Sequence, residues 1–241
     1  MDIHIDGWNN CDKEGGNCLM NFSNISQIVI PEGEVLRISS DDSVLWGLPL
    51  EYTKIDHIIV PTSAWFNTGI VPSGDKWTYE TEMYAESWGS NQYFYFAVRQ
   101  TKSYATMYAP IHVSSGFKMY FSNTRTASAG GAKNTWYTIK SEVENGLQNM
   151  YINGQLKVTA NLAITTTYTL PLYLFAANFH GGMYQGTAGR IKYLKAYKGT
   201  KLENHFVAVR RNADGICGLY DLIKHKFHEN NGGGTITGSA T

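Results

Sequence analysis

From Tyr52 onward, apolar and polar positions alternate with a period of two. Trp77, Tyr79, Thr81, Met83 and Ala85 fall on one face, and Thr78, Glu80, Glu82 and Tyr84 on the other. Successive side chains of a strand point to opposite faces, so this segment predicts a half-buried strand. Tyr93-Phe94-Tyr95-Phe96-Ala97-Val98-Arg99 is an aromatic run suited to a strand covered on both faces, and Phe117, Met119 and Phe121 alternate with Lys118 and Tyr120. Segments 136–143 and 148–152 join across Glu144-Asn145-Gly146, and Asn153-Gly154 signals a type I′ hairpin into 155–158. Strands over 171–179 and 189–197 complete the series. Trp46, Trp77 and Trp136 sit in strand-like patterns and are assigned to the core. Helical periodicity is nearly absent, so helix is expected only as a short turn near Leu202 to His205 or Leu219 to Ile223. Strands of this length and spacing predict an all-β, two-sheet antiparallel sandwich.

The first 27 residues are polar, Gly/Asn/Asp-rich and weakly periodic, which predicts an arm. Residues 28–46 hold two short hairpins, the first turning through Pro31-Glu32-Gly33-Glu34 and the second through Ser40-Asp41-Asp42-Ser43. The expected division is therefore 1–50, an arm with a small β-element, and 51–241, the main domain. Ala127 to Ala132 and Gly181 to Gly186 read as exposed loops, and Gly232-Gly233-Gly234 as a turn into a closing edge strand over 235–238. No Lys-Ser/Thr follows a Gly-rich stretch, so no phosphate-binding loop is present.

Composition narrows the class. The 241 residues are 43% hydrophobic and only 17% charged, with 16 tyrosines and 24 glycines, a profile of sandwiches with many tight turns. The net charge is zero, so no global field recruits nucleic acid or a membrane surface. Its distribution is uneven: residues 1–60 carry ten acidic and three basic side chains, whereas residues 190–228 carry nine basic and three acidic. Mutual attraction of these segments, within a subunit or between neighbours, is expected. Cys11, Cys18 and Cys217 are odd in number and irregular in spacing, which fits free thiols in a reducing cytoplasm rather than a disulfide framework. No run of about 18 apolar residues occurs, so a soluble cytoplasmic product is expected.

Residues 52–70, the 136–154 hairpin and Gly189-Arg-Ile-Lys-Tyr-Leu-Lys-Ala-Tyr197 resemble a laminin-G-like, concanavalin A-type jelly roll. The ending is more particular. Phe206-Val-Ala-Val-Arg-Arg211, Asp214-Gly215, Gly218-Leu-Tyr-Asp221, Lys226-Phe227 and Gly233-Gly234-Thr235-Ile236 resemble the close of such domains in phage tail, fibre or head-decoration proteins. The resemblance covers roughly residues 28–238. It implies a non-enzymatic virion protein, made in the host bacterial cytoplasm and displayed on the particle surface. Its partners would be other virion proteins, further copies of itself (a trimer for example) and a host cell-surface glycan, with no nucleic acid and no membrane insertion. The alternative is a free bacterial carbohydrate-binding lectin, and behind it a glycoside hydrolase. Tyr220-Asp221 and Gly234-Thr235 are expected to fix turns.

No catalytic residue is assigned. Family-16 glycosidases share the sandwich and need two carboxyls about 5 Å apart on one strand. Glu80 and Glu82 share a face, but position 85 is Ala and Glu86 falls one residue late. No Gly-x-Ser-x-Gly is present. No cofactor or metal is expected. The resemblance raises calcium, yet no dense Asp/Asn loop appears, and Asp221, His225 and His228 read as an ordinary polar tail. A glycan site would use aromatic rings on loops, because flat apolar rings fit sugar faces. The candidates are Trp88, Tyr104, Tyr108, His180 and Tyr184.

Overall fold

The computed structural model describes residues 48–73, 76–86 and 93–239. The expected arm, its hairpins, Trp46, Cys11, Cys18 and Trp88 lie outside the described residues. In chain order the strands are β1 (Tyr52–Lys54), β2 (Ile58–Val60), β3 (Phe66–Asn67), β4 (Trp77–Ala85) and β5 (Tyr93–Arg99). A single 3-10 turn over Tyr104–Thr106 leads to β6 (Met107–Val113), β7 (Phe117–Phe121), β8 (Thr124–Arg125) and β9 (Trp136–Glu144). Then come β10 (Leu147–Ile152), β11 (Gln155–Ala160), β12 (Tyr173–Leu174), β13 (Ala177–Phe179) and β14 (Gly182–Tyr184). The chain closes with β15 (Gly189–Lys198), β16 (Lys201–Arg211), β17 (Cys217–Asp221), β18 (Lys226–His228) and β19 (Thr237–Gly238).

Two sheets form a jelly-roll sandwich. The larger runs β11-β10-β9-β4-β15-β16-β17-β18, with β1, β2 and β19 paired alongside; the smaller runs β14-β13-β5-β6-β7-β8, with β12 and β3. Alternation places the faces as the sequence predicts: the odd positions of β4 are buried and the even ones half-buried. Tyr79, Met83, Ile139, Leu194 and Phe206 from one sheet meet Tyr95, Phe96, Ile111, Phe117 and Phe121 from the other. Two polar contacts bridge the gap between the sheets. The Tyr79 and Tyr108 hydroxyls lie 3.1 Å apart, and Ser141 Oγ donates to the Pro110 carbonyl at 2.8 Å. An unpaired buried hydroxyl would cost stability, so these bonds also fix how the sheets face each other.

The Asn153-Gly154 hairpin forms as expected, with φ of 50° and 76° at its two residues. The 235–238 segment supplies β19, an edge strand on β2. Four expectations are corrected. Leu202 to His205 is not helical; it opens the long strand β16, where pairing with β15 satisfies its backbone. Leu219 to Ile223 also holds no helix, because β17 runs through Asp221 into a turn. The predicted single strand over 171–179 breaks at the buried Phe175, whose φ is 64°. There the chain doubles back, so β12 pairs with β5 antiparallel and β13 pairs with β5 parallel, the one departure from antiparallel pairing among the described residues. Trp136 is not core: it lies half-buried on the outer face of the larger sheet, against His57, Tyr84 and Lys192.

The ending block acts as expected of a structural element. Asp221 is fully buried, and its carboxylate accepts bonds from Asn204 Nδ2 and from the backbone N–H groups of His205, Ile223 and Lys224. It therefore ties the β17–β18 turn to β16. Of the two described acidic positions before residue 61, Glu51 and Asp56, the second meets the basic segment at Lys192, 3.5 Å away.

Candidate functional site

The outer face of the smaller sheet gathers an aromatic and cationic cluster at its β5–β13–β14 end. Arg99 closes β5, and its register partner on the parallel strand β13 is Phe179. The Arg99 guanidinium carbon lies 3.9 Å from the Phe179 ring centroid, 4.3 Å from that of Tyr104 and 4.9 Å from that of Tyr184. The Tyr104 and Tyr184 hydroxyls are 3.0 Å apart. Tyr104 stacks on Tyr120 with centroids at 6.1 Å, and the Arg125 guanidinium lies over the far ring at 4.9 Å. The sequence supports each contributor locally. Ser103 caps the 3-10 turn by accepting from Ala105 N, and Thr101 and Thr106 bond across its base, which presents Tyr104. Asn178 is buried; its amide donates to the Pro171 carbonyl and its oxygen accepts from Gly181 N, which pins the β13–β14 turn beside Phe179.

Arg99 is only 5% exposed, yet among the described residues its side chain has no ion-pair or hydrogen-bond partner, and its Nε is buried without one. Around it the described strands of the smaller sheet carry no negative charge. Residues 87–141 contain Arg99, Lys102, Lys118, Arg125, Lys133 and Lys140 and not one Asp or Glu, and residues 145–202 contain no acidic residue either. No strand of the smaller sheet therefore carries a carboxylate. His112, buried on the same face, is pushed down to about 3 by burial and by the nearby Arg125 and Lys118. The Tyr184 hydroxyl is raised by its bond to Tyr104 and by burial, while burial raises Tyr120 against the opposing pull of Arg125 and Arg99.

Of the five residues expected at a glycan site, the structure brings Tyr104 and Tyr184 into contact and sets His180 beside them. His180 is exposed in the β13–β14 turn, and its backbone N–H donates to the Arg99 carbonyl at 3.3 Å. Tyr184 stands on strand β14 rather than in a loop, because 182–184 pairs with β13. Tyr108 is a correction. It is fully buried in β6 with its hydroxyl on Tyr79, so it faces the core and cannot meet a sugar. Sequence reasoning missed Arg99, Phe179 and Tyr120. The legible signal was the acid-free stretch around an arginine that ends an aromatic strand.

Other candidate chemistry takes structural roles. Glu82 pairs with Lys192 at 2.8 Å, and Glu80 sits between Lys140 and Lys195 in register, on the open outer face of the larger sheet. Glu86 pairs with Arg190 at 3.0 Å. Asp221 is spent on the turn, and the His228 ring bonds the Asn67 carbonyl. Among the described residues no group of three or more His, Cys, Asp or Glu is placed to hold a metal. Cys217 is a buried free thiol. A separate depression of about 340 Å³ lies by Trp77, Glu203, Lys224 and Lys226 at the β16–β18 end.

No protein-family model matches the chain, and no curated protein matches it at a significant level. Solved structures share the fold. A candidate carbohydrate-binding protein of Bacteroides ovatus aligns with a TM-score of 0.53 and 10% identity, over 78% of this chain and 61% of that one. The chain thus spans about three fifths of that protein's length. The CBM40 module of a Ruminococcus gnavus IT-sialidase, solved with α2,3-sialyllactose, aligns at 0.48 with 14% identity, over 61% of this chain and 90% of that one. Domains LG4-5 of the mouse laminin α1 chain align at 0.44 with 13% identity, over 63% and 44%. The likeness to the Bacteroides ovatus protein, at 10% identity, is one of fold.

Proposed function

We propose that this chain is a non-catalytic glycan-binding module whose binding surface is the Arg99 cluster. The observation that carries the reading is the meeting of Tyr104 and Tyr184, 80 positions apart in sequence, hydroxyl to hydroxyl beside a caged guanidinium. Half-buried tyrosines pair a flat apolar face with a polar tip, the combination that grips a sugar ring and orients its hydroxyls. The fold shared with the Bacteroides ovatus protein supports the reading. A glycan array probed with the intact chain is the test. Tyr104→Ala and Tyr184→Ala are each expected to weaken the best binder about tenfold, a loss of about 1.4 kcal/mol. Tyr108→Phe, a core substitution, leaves binding unchanged. No bound glycan, or binding indifferent to both surface variants, refutes the proposal.

We further propose display of this module on a phage particle, as a surface decoration or adhesin in several copies. Its support is the resemblance of residues 206–236 to the ending of virion domains. Mass spectrometry of purified particles decides between this and a free bacterial lectin: a fixed copy number relative to the major capsid protein is expected, and absence from particles sinks it.

A further inference from the structure

We infer that the Arg99 cluster reads a carboxylate, so that the glycan it takes carries an acidic sugar residue. The inference rests on the glycan-binding reading of the same surface and specifies its ligand.

Buried charges are normally paired or heavily hydrogen-bonded, because desolvating an ion is costly. Asp221 obeys that rule with four donors on its carboxylate. Arg99 does not. It is as buried as many core residues, and no carboxylate, carbonyl or hydroxyl of the described residues bonds its guanidinium. What it has is three aromatic rings within 4.9 Å. Ring quadrupoles attract a cation through their faces, which offsets part of its desolvation. They leave the terminal N–H donors of the fork unspent, and those donors match the two oxygens of a planar carboxylate.

The rest of the face points the same way. A cation left without a counter-ion could be neutralised by any nearby acid, but the smaller sheet has none in its strands, and Arg125 and Lys118 add positive charge. The rings of Tyr104 and Tyr184 flank the guanidinium, and their hydroxyls, 3.0 Å apart, offer polar tips to the ring hydroxyls of the residue that bears the acid. A single caged guanidinium between tyrosines fits one carboxylate on one sugar. A polyphosphate backbone would call for a row of exposed basic side chains along a groove, and the chain's net charge is zero.

The test is calorimetric titration of the intact chain with three kinds of oligosaccharide: ending in a hexuronate, ending in a nonulosonate, and ending in a sulfated neutral sugar. Each carboxylated oligosaccharide is also measured after reduction of its carboxyl to a primary alcohol, which keeps the ring and removes the charge. A carboxylated form is expected to bind at least tenfold tighter than its reduced partner, and whichever acid binds tighter identifies the source. Arg99→Met keeps the apolar bulk and is expected to erase that difference, while Arg99→Lys restores only part of it. Equal affinity for acid and reduced forms overturns the inference and leaves glycan binding standing. So does tighter binding of the sulfated sugar, or a charge preference that survives in Arg99→Met. Failure to bind any of them, with no hit on the glycan array, overturns both readings. The acid-against-alcohol comparison uses the unaltered chain and does not depend on the variants folding.

Discussion

Replacing Asp221 with alanine is expected to cost about 3–5 kcal/mol of stability. Its carboxylate is wholly buried and receives four hydrogen bonds, at 2.6 Å from Asn204 Nδ2, 3.1 Å from His205 N, 3.0 Å from Ile223 N and 3.3 Å from Lys224 N. Hydrogen bonds to a charged group are each worth roughly 1.5–3 kcal/mol, and a buried donor left unpaired loses that amount. The four do not count equally. Residues 223 and 224 are exposed, so their N–H groups regain water and contribute little to the loss. Asn204 is 7% exposed and His205 N lies within the β16 ladder region, so these two donors are the ones stranded. Two donors at the quoted worth give about 3–6 kcal/mol, trimmed by local relaxation. For a domain of this size each kcal/mol shifts the Tm by about 2–4 °C, which predicts a fall of about 6–20 °C. Asp221→Asn keeps the oxygen that serves the three backbone groups and opposes its amide to Asn204, which can rotate its own amide to accept. It is expected to lose only about 1–2 kcal/mol. Urea unfolding followed by tryptophan fluorescence and by far-UV dichroism measures both, provided the two probes give one transition. A loss under about 1 kcal/mol for Asp221→Ala, or equal losses for both variants, would refute the reasoning.

Two further outcomes follow from close packing and from titration. A Cβ on Gly189 would stand 2.7 Å from the Tyr84 carbonyl oxygen and about 3 Å from the Phe175 and Tyr95 rings, so Gly189→Ala is expected to cost about 1–3 kcal/mol in the same urea assay. A variant as stable as the parent would show that β15 can shift away from the smaller sheet. Stability should also fall with acidity. Burial lowers His112 to about 3 and His205 to about 4 from an ordinary 6.5, and lowers His228 as well. These histidines bind protons more readily unfolded than folded, so the stabilising difference is complete above 6.5 and is lost as pH drops from 6.5 toward the folded values. Urea midpoints at pH 7.0, 5.5 and 4.5 should decline, and His205→Gln should decline less; a flat series would contradict the assignment.

Much of the fold was legible because strand patterning is local. The alternation in β4, the Asn153-Gly154 hairpin and the closing strand β19 all follow from residues within a few positions of each other. The errors fell where distant pairing overrides local pattern. Phe175 looks like mid-strand, yet the register of β5 against both β12 and β13 requires the chain to double back there. Trp136 and Tyr137 both fit a strand, and only the position of β9 against β4 decides which of them points inward. Tyr108 had the look of a loop aromatic until β6 placed it opposite Tyr79.

The sequence by itself determined a β-sandwich, a chain of neutral net charge and a stretch without acids from 87 to 141, because composition and period are properties of the chain alone. It also marked Tyr104, His180 and Tyr184 as candidates for a surface site. Tertiary structure decided that the two tyrosines touch, that Tyr108 belongs to the core and that Arg99 lies caged with no counter-ion among the described residues. A caged charge is a relation among the ends of β5, β13 and β14 and the 3-10 turn at Tyr104, which are distant in sequence and are brought together by the parallel pairing of β5 with β13. No local pattern records that pairing, because its hydrogen bonds join segments about 80 residues apart.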